Sequence, residues 1–207
     1  VVTEEYYQQN GNNNAAVTTS IVNTVNGWNL IYEKELSVTF TLLTPIIEYA
    51  VNPFTGDQVG GDSRPNQAAE VVAMNFADND YEIGHVFHNT SVNNDFSGGG
   101  VAGLGVVCSN STFFSTSTNP NEPDGLTGPD KAAAWSGSFS NVGNGWINLS
   151  AHEVGHQFGA EHTFNGKGGI GNCTNAIASN FVFVSGTGFV QEFNNSYEIA
   201  SGNTIMS

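Results

Sequence analysis

Between positions 152 and 162 the chain reads His152-Glu153-Val154-Gly155-His156-Gln157-Phe158-Gly159-Ala160-Glu161-His162. Two histidines four residues apart on a helix lie on one face, one turn from each other, so both rings can reach a single metal ion. The apolar residues set the helix phase. Ile147, Ala151, Val154 and Phe158 recur at i, i+4, i+7 and i+11, a single stripe for the core. His152 and His156 fall off that stripe and are expected to face a cleft. Gly159 lets the chain leave the helix with φ > 0, and His162 can then return as a third ligand. Three protein ligands leave a fourth position open for water, the arrangement of a catalytic zinc ion rather than a structural one. Glu153, beside the first histidine, is the candidate general base for that water.

Composition narrows the classes that remain. The chain has 19 acidic and 4 basic residues, a formal net charge of −15. Lys34, Arg64, Lys131 and Lys167 cannot form a basic patch, which argues against nucleic acid and anionic membrane surfaces as partners. No segment approaches the roughly 18 uninterrupted apolar residues of a membrane span. With 207 residues, 39% of them hydrophobic, a single domain over 1–207 with a real core is the simplest reading. A strongly acidic surface keeps a protein soluble and attracts cations, calcium among them. Asp57, Asp62, Asp78, Asp80 and Asp95 sit in loop-like sequence, but none completes an EF-hand pattern. Cys108 and Cys173 are compatible with one disulfide in an oxidising compartment, closing a loop of roughly 65 residues. Two buried free thiols are the other reading.

Along the chain, Val1 to Gln8 reads as a strand and Ala15 to Leu30 as a helix. In that helix Val17, Ile21, Val25 and Trp28 recur at helical spacing, and Asn12 to Asn14 offer caps. Ile31 to Leu43 is enriched in β-branched and aromatic residues, with Leu36, Val38, Phe40 and Leu42 alternating against Glu35, Ser37, Thr39 and Thr41, and reads as a long half-buried strand. Asn66 to Phe76 reads as a helix, and Tyr81 to His88 and Val101 to Cys108 as strands. Ser109 to Asn144 is a long polar connection anchored by Trp135 and Phe139, and the Gly- and Asn-rich tail reads as irregular. His85 and His88, three apart on a predicted strand, face opposite sides and suit a structural or surface role better than a shared metal. Strands mixed with a few long helices argue for an α/β or α+β fold.

The pattern H-E-x-x-H-x-x-G-x-x-H resembles the signature of the metzincin zinc endopeptidases. Its second part is a methionine turn below the metal, and Ser201-Gly202-Asn203-Thr204-Ile205-Met206-Ser207 supplies a candidate. Met206 would give the ligand rings a soft, polarisable floor. The segments Tyr81 to Phe87 and Gly98 to Cys108 before the zinc helix, and His162 to Asn165 and Tyr197 to Gly202 after it, are similar to the reprolysin-like (adamalysin-like) branch found in secreted bacterial proteins. Typical reprolysins carry aspartate after the third histidine, whereas this chain has Thr163.

The resemblance implies a twisted five-stranded mixed sheet with two long helices, a backing helix and the zinc helix. It places an upper subdomain at 1–159 and a small irregular lower subdomain at 160–207. Relatives continue past the Met-turn to form a wall of the specificity pocket, so the chain reads as incomplete after Ser207. The opening Val1-Val2-Thr3-Glu4-Glu5 is what a secreted enzyme without its signal and an inhibitory pro-segment would show. The implied activity is hydrolysis of peptide bonds in protein or peptide substrates by a monomer. One catalytic Zn2+ is held by His152, His156 and His162, with Glu153 as base; a structural Ca2+, common in relatives, has no residue assignment. Substrate main chain is expected along the strand before the zinc helix, at Ala102, Gly103 and Leu104, by β-augmentation. The alternatives are a non-catalytic metzincin-fold module that binds proteins and a zinc hydrolase acting on a non-peptide amide. An intact Glu153 argues against the first of these.

Overall fold

The computed structural model describes residues 1–44, 64–91, 98–110, 130–160, 179–184 and 188–193. His162, Met206 and Cys173 therefore lie outside the described residues. The chain forms two compact units, Val1–Phe158 and Gly159–Ser207.

The first unit is a mixed α+β layer structure. Its helices are α1 (Glu4–Gln9), α2 (Asn14–Leu36), α3 (Arg64–Asn75) and α4 (Gly143–Gln157). Its strands are β1 (Val86–Asn89), β2 (Gly99–Ala102) and β3 (Ala134–Ser138), joined in the order β1-β3-β2. β1 runs parallel to β3 and β2 runs antiparallel to it. A parallel bridge from Val2 to Phe87 continues the sheet beyond β1. Alternation along the strands sends Val86, Trp135 and Val101 to one face, where they pack with Ala68, Ala69 and Val72 of α3. The other face carries Phe87, which meets Trp28 of α2 and Trp146 of α4 edge-on.

The helix α2 follows its expected stripe. Val17, Ile21, Val25 and Trp28 are all buried, and Asn13 caps the helix by accepting hydrogen bonds from Ala15 N and Ala16 N. It is also the backing helix for α4. Trp28 Nε1 donates to Ser150 Oγ at 2.9 Å, Trp146 Nε1 donates to Thr24 Oγ1 at 2.9 Å, and Tyr32 Oη donates to Ala151 O at 2.7 Å. The helices approach closely at Gly27, where a Cβ would stand 2.7 Å from Ile147 Cδ1. Gly27→Ala is expected to cost roughly 1–3 kcal/mol through overpacking, read as a lower urea midpoint at unchanged slope.

Several elements differ from the sequence expectation. The strand expected over Val1 to Gln8 is instead α1, with only Val2 reaching the sheet. Thr3 provides the N-cap, and Glu4 and Glu5 favour the positive end of the helix, which outweighs the local β pattern. The strand expected from Ile31 is helical through Leu36 and ends at Ser37, which adopts a left-handed conformation with φ 57. Tyr32 drives this, because the helix carries its ring into the core and its hydroxyl to the zinc-motif helix. Beyond it Phe40 packs edge-on against Trp28 and Tyr32 without joining a ladder among the described residues.

The polar connection before α4 hides β3, the central strand of the sheet. Ala-Trp-Ser-Gly-Ser has little β propensity, and pairing on both sides supplies what the local sequence lacks. Trp135 is fully buried, as an anchor would be, but Phe139 is exposed. The strands expected at 81–88 and 101–108 are shorter and shifted, to 86–89 and 99–102. In the second unit, the tail expected to be irregular contains an antiparallel hairpin of β4 (Ser179–Val184) and β5 (Gly188–Phe193). The aromatic and β-branched run Phe181-Val182-Phe183-Val184 accounts for it, against the Gly- and Asn-rich background.

Candidate active site

The helix α4 carries the site. Of the expected stripe Ala151 and Val154 are fully buried and Ile147 and Phe158 half-buried, and the buried side that fixes the helix phase extends over Trp146, Ser150, Glu153 and Gln157. That phase brings His152 and His156 together at the helix surface. Their Nε2 atoms are 3.1 Å apart, with ring centroids at 4.7 Å and planes at 90°. Two nitrogens on one tetrahedral metal, each at about 2.0–2.1 Å, stand about 3.3 Å apart. The two imidazoles thus converge on one point at a separation that suits shared coordination. Gly159 has φ 91, the left-handed turn that the motif requires immediately after the helix. Among the described residues no group of three or more His, Cys, Asp or Glu side chains could hold a metal; the third expected ligand, His162, is not among them.

Glu153 points away from solvent, behind β2. It is 4% exposed, and its Oε2 is buried without a hydrogen-bond partner among the described residues. Burial pushes its carboxyl up to about 8, because the charged form loses hydration that nothing nearby replaces. A buried, unsatisfied carboxyl oxygen next to two converging imidazoles is the expected counterpart of a cation and its bound water. The two described histidines therefore suit the ion that the sequence implies, with the third expected ligand outside the described residues.

The strand β2 lies beside this carboxyl at an edge of the three-stranded sheet. Gly103 N donates to Ala133 O at 2.8 Å, so its main chain is turned towards the sheet. By alternation, the N–H and C=O groups of Gly100 and Ala102 point to the open side. Of the three expected substrate-contacting residues, Ala102 thus has an outward-facing main chain. Gly103 has its N–H engaged, and Leu104 presents an exposed side chain in the following turn. That turn also satisfies the C-terminus of α4. Gly105 N donates to His156 O at 2.9 Å and Val106 N to Gln157 O at 2.8 Å, tying the edge strand to the helix that carries the histidines. Cys108 follows, exposed and with φ 61, while its expected partner Cys173 lies outside the described residues.

Gln157 also builds the site, although it fills a variable position of the motif. It is fully buried, and its Nε2 donates to Gly84 O and to Lys131 O, both at 3.0 Å. Its Oε1 meets His85 Nδ1 at 3.3 Å, and His85 Nε2 meets Ser136 Oγ at 2.9 Å. This chain of bonds locks the zinc-motif helix to the sheet. The available signal was position: Gln157 continues the line Trp146, Ser150, Glu153 at helical spacing, on the buried side. Gln157→Ala would strand two backbone carbonyls and open a cavity. It is expected to cost roughly 2–4 kcal/mol, measurable as a drop in the melting midpoint.

His85 and His88 are both structural, as their alternation suggested. His85 meets Trp28 edge-on and Phe87 at a tilt, and burial lowers its pKa to about 3 against the opposing hydrogen bond from Gln157. His88 is fully buried on the opposite face, with Nδ1 at 3.0 Å from Thr3 Oγ1 and 3.7 Å from Glu5 Oε2.

No curated protein sequence matches the chain. Residues 18–163, from the first turns of the backing helix to just past the third histidine of the motif, match the family model of the reprolysin-like metallopeptidases of family M12B. With that match covering most of its length, the chain belongs to the M12B reprolysin-like metallopeptidase family.

Proposed function

We propose that the protein is a secreted, zinc-dependent endopeptidase that cleaves extended protein or peptide substrates, with Glu153 as its general base. The observation that carries this reading is the juxtaposition of three things on one helix and one edge strand. These are the converging His152 and His156 nitrogens, the buried Glu153 carboxyl, and the outward-facing main chain of β2. His152, His156 and His162 would hold the ion. When bound, zinc supplies Lewis acidity, lowering the pKa of a water and polarising the carbonyl to be attacked.

The chain's own residues do the rest. The open edge of β2 takes the substrate main chain as an added strand and fixes its register, through groups at Gly100 and Ala102. Glu153 accepts a proton from the attacking water at its carboxylate oxygen and returns it to the leaving amine nitrogen. Burial raises the proton affinity of this carboxyl, which favours taking the proton from water. Packing of Glu153 behind β2 keeps bulk water from competing for it. A net charge of −15 supports a soluble extracellular setting and disfavours polyanionic substrates.

Hydrolysis of casein or gelatin tests the reading. Activity is expected to fall to background with a zinc chelator and to return on adding about one equivalent of zinc. Hydrolysis indifferent to the chelator would remove the metal from the mechanism. No hydrolysis by zinc-loaded protein would remove the peptidase reading itself.

A further inference from the structure

The edge strand meets the buried carboxyl at Gly100. A Cβ built there would run into Glu153 Cγ and stand 2.7 Å from Glu153 Cδ and 2.7 Å from Trp135 O, closer than Cβ atoms approach other heavy atoms. The glycine is not demanded by torsion, because Gly100 is absent from the glycines with positive φ. Its neighbour gives the contrast. Gly99 has φ 142, and a Cβ there would meet nothing within 4 Å among the described residues. One glycine thus serves the backbone and the next serves space. The space is taken by Glu153, whose carboxyl lies in the hollow left by the missing side chain. Ser136, the register partner of Gly100 on β3, faces the same way and binds His85, so the neighbouring positions on this face are already occupied.

We propose that Gly100 is a positioning residue for the general base. Its missing side chain is the recess that seats the Glu153 carboxyl against the backbone of the edge strand, beside the outward-facing groups that would hold the substrate. The base and the substrate track are then set by one strand position, so the reacting carbonyl and the proton acceptor keep a fixed separation. This rests on the peptidase reading above for its catalytic consequence, but the seating of the carboxyl can be tested without activity.

The experiment is a double-mutant cycle with Gly100→Ala, Glu153→Ala and the double variant, followed by thermal melting and zinc content. In the wild-type background Gly100→Ala is expected to lower the melting midpoint by roughly 3–10 °C through overpacking. In the Glu153→Ala background less than half of that drop is expected, because the displaced atoms are gone. An equal drop in both backgrounds would assign the glycine to the Trp135 carbonyl and overturn the proposal. Should Gly100→Ala alone fail to fold, a double variant that melts close to Glu153→Ala supports the proposal. Failure of both variants to fold overturns it. In zinc-loaded Gly100→Ala that does fold, kcat is expected to fall about 10²-fold with KM within about threefold, since a base misplaced by about 1 Å loses turnover rather than binding. Wild-type kcat in that variant would also overturn the proposal. Inactivity of the wild-type protein would instead refute the peptidase reading and leave the stability cycle readable.

Discussion

Replacing Glu153 with glutamine is expected to lower kcat by about 10²–10⁴-fold while zinc content and KM stay near their wild-type values. The side chain keeps its volume, so the packing behind β2 survives. What is lost is the ability to take a proton at the carboxyl oxygen and return it to the leaving amine. Binding of the substrate main chain falls on the edge strand, which the substitution leaves in place, so KM has no reason to move. Steady-state kinetics with a peptide substrate and metal analysis on the same preparation decide the matter. Turnover within a few-fold of wild type would take the general base away from Glu153. A parallel loss of zinc would mean that the carboxyl supports the metal site rather than the proton transfer. Burial supports the former, because a carboxyl pushed up to about 8 binds a proton more readily than an exposed one and is therefore the stronger base.

Acid should destabilise the fold, with His85 as a principal cause. Its pKa in the folded protein is lowered to about 3 by burial among Trp28 and Phe87, against an ordinary value of 6.5. The unfolded chain therefore takes up a proton at a pH where the folded chain does not. The stabilising contribution is intact above about pH 6.5 and is lost progressively as pH falls towards 3, reaching roughly 4–5 kcal/mol at the end of that window. Urea unfolding at a series of pH values reads this out directly. His85→Asn is expected to be less stable at pH 7, because the ring packing is gone. Between pH 6 and 4, however, it should lose stability with a visibly shallower slope than the wild type. Parallel slopes in the two proteins would show that another group dominates the acid response.

The recognition of the site came from spacing. Two histidines at i and i+4, a glycine where the helix must end and a carboxylate beside the first ligand are a local constellation, readable because a helix places them without help from the rest of the fold. The phase of α4 and the buried stripe of α2 were legible for the same reason, since both follow from a 3.6-residue period along continuous sequence. The strands were read less well. The helix runs on through Tyr32 to Leu36, the alternating Leu36, Val38, Phe40 and Leu42 form no strand among the described residues, and β3 carries almost no strand signal of its own. A central strand is stabilised by partners distant in sequence, so its own residues need not announce it.

From its residues alone, this chain offers His152 and His156 as candidate metal ligands, Glu153 as candidate base, the turn at Gly159 and the reprolysin-like family to which it belongs. The fold added what depends on distant partners. It buried Glu153 behind β2, turned the main chain of Gly100 and Ala102 outwards, and made Gln157 a clamp on two carbonyls from other segments. Each of these joins groups 26 to 73 residues apart or depends on what lies across the sheet, as the Gln157 bonds to Lys131 and Gly84 illustrate. Helical period carries a motif across a few turns. Solvent exclusion and edge geometry arise only when separate elements pack, and they are what set the proton affinity of the base and the side from which a substrate can approach.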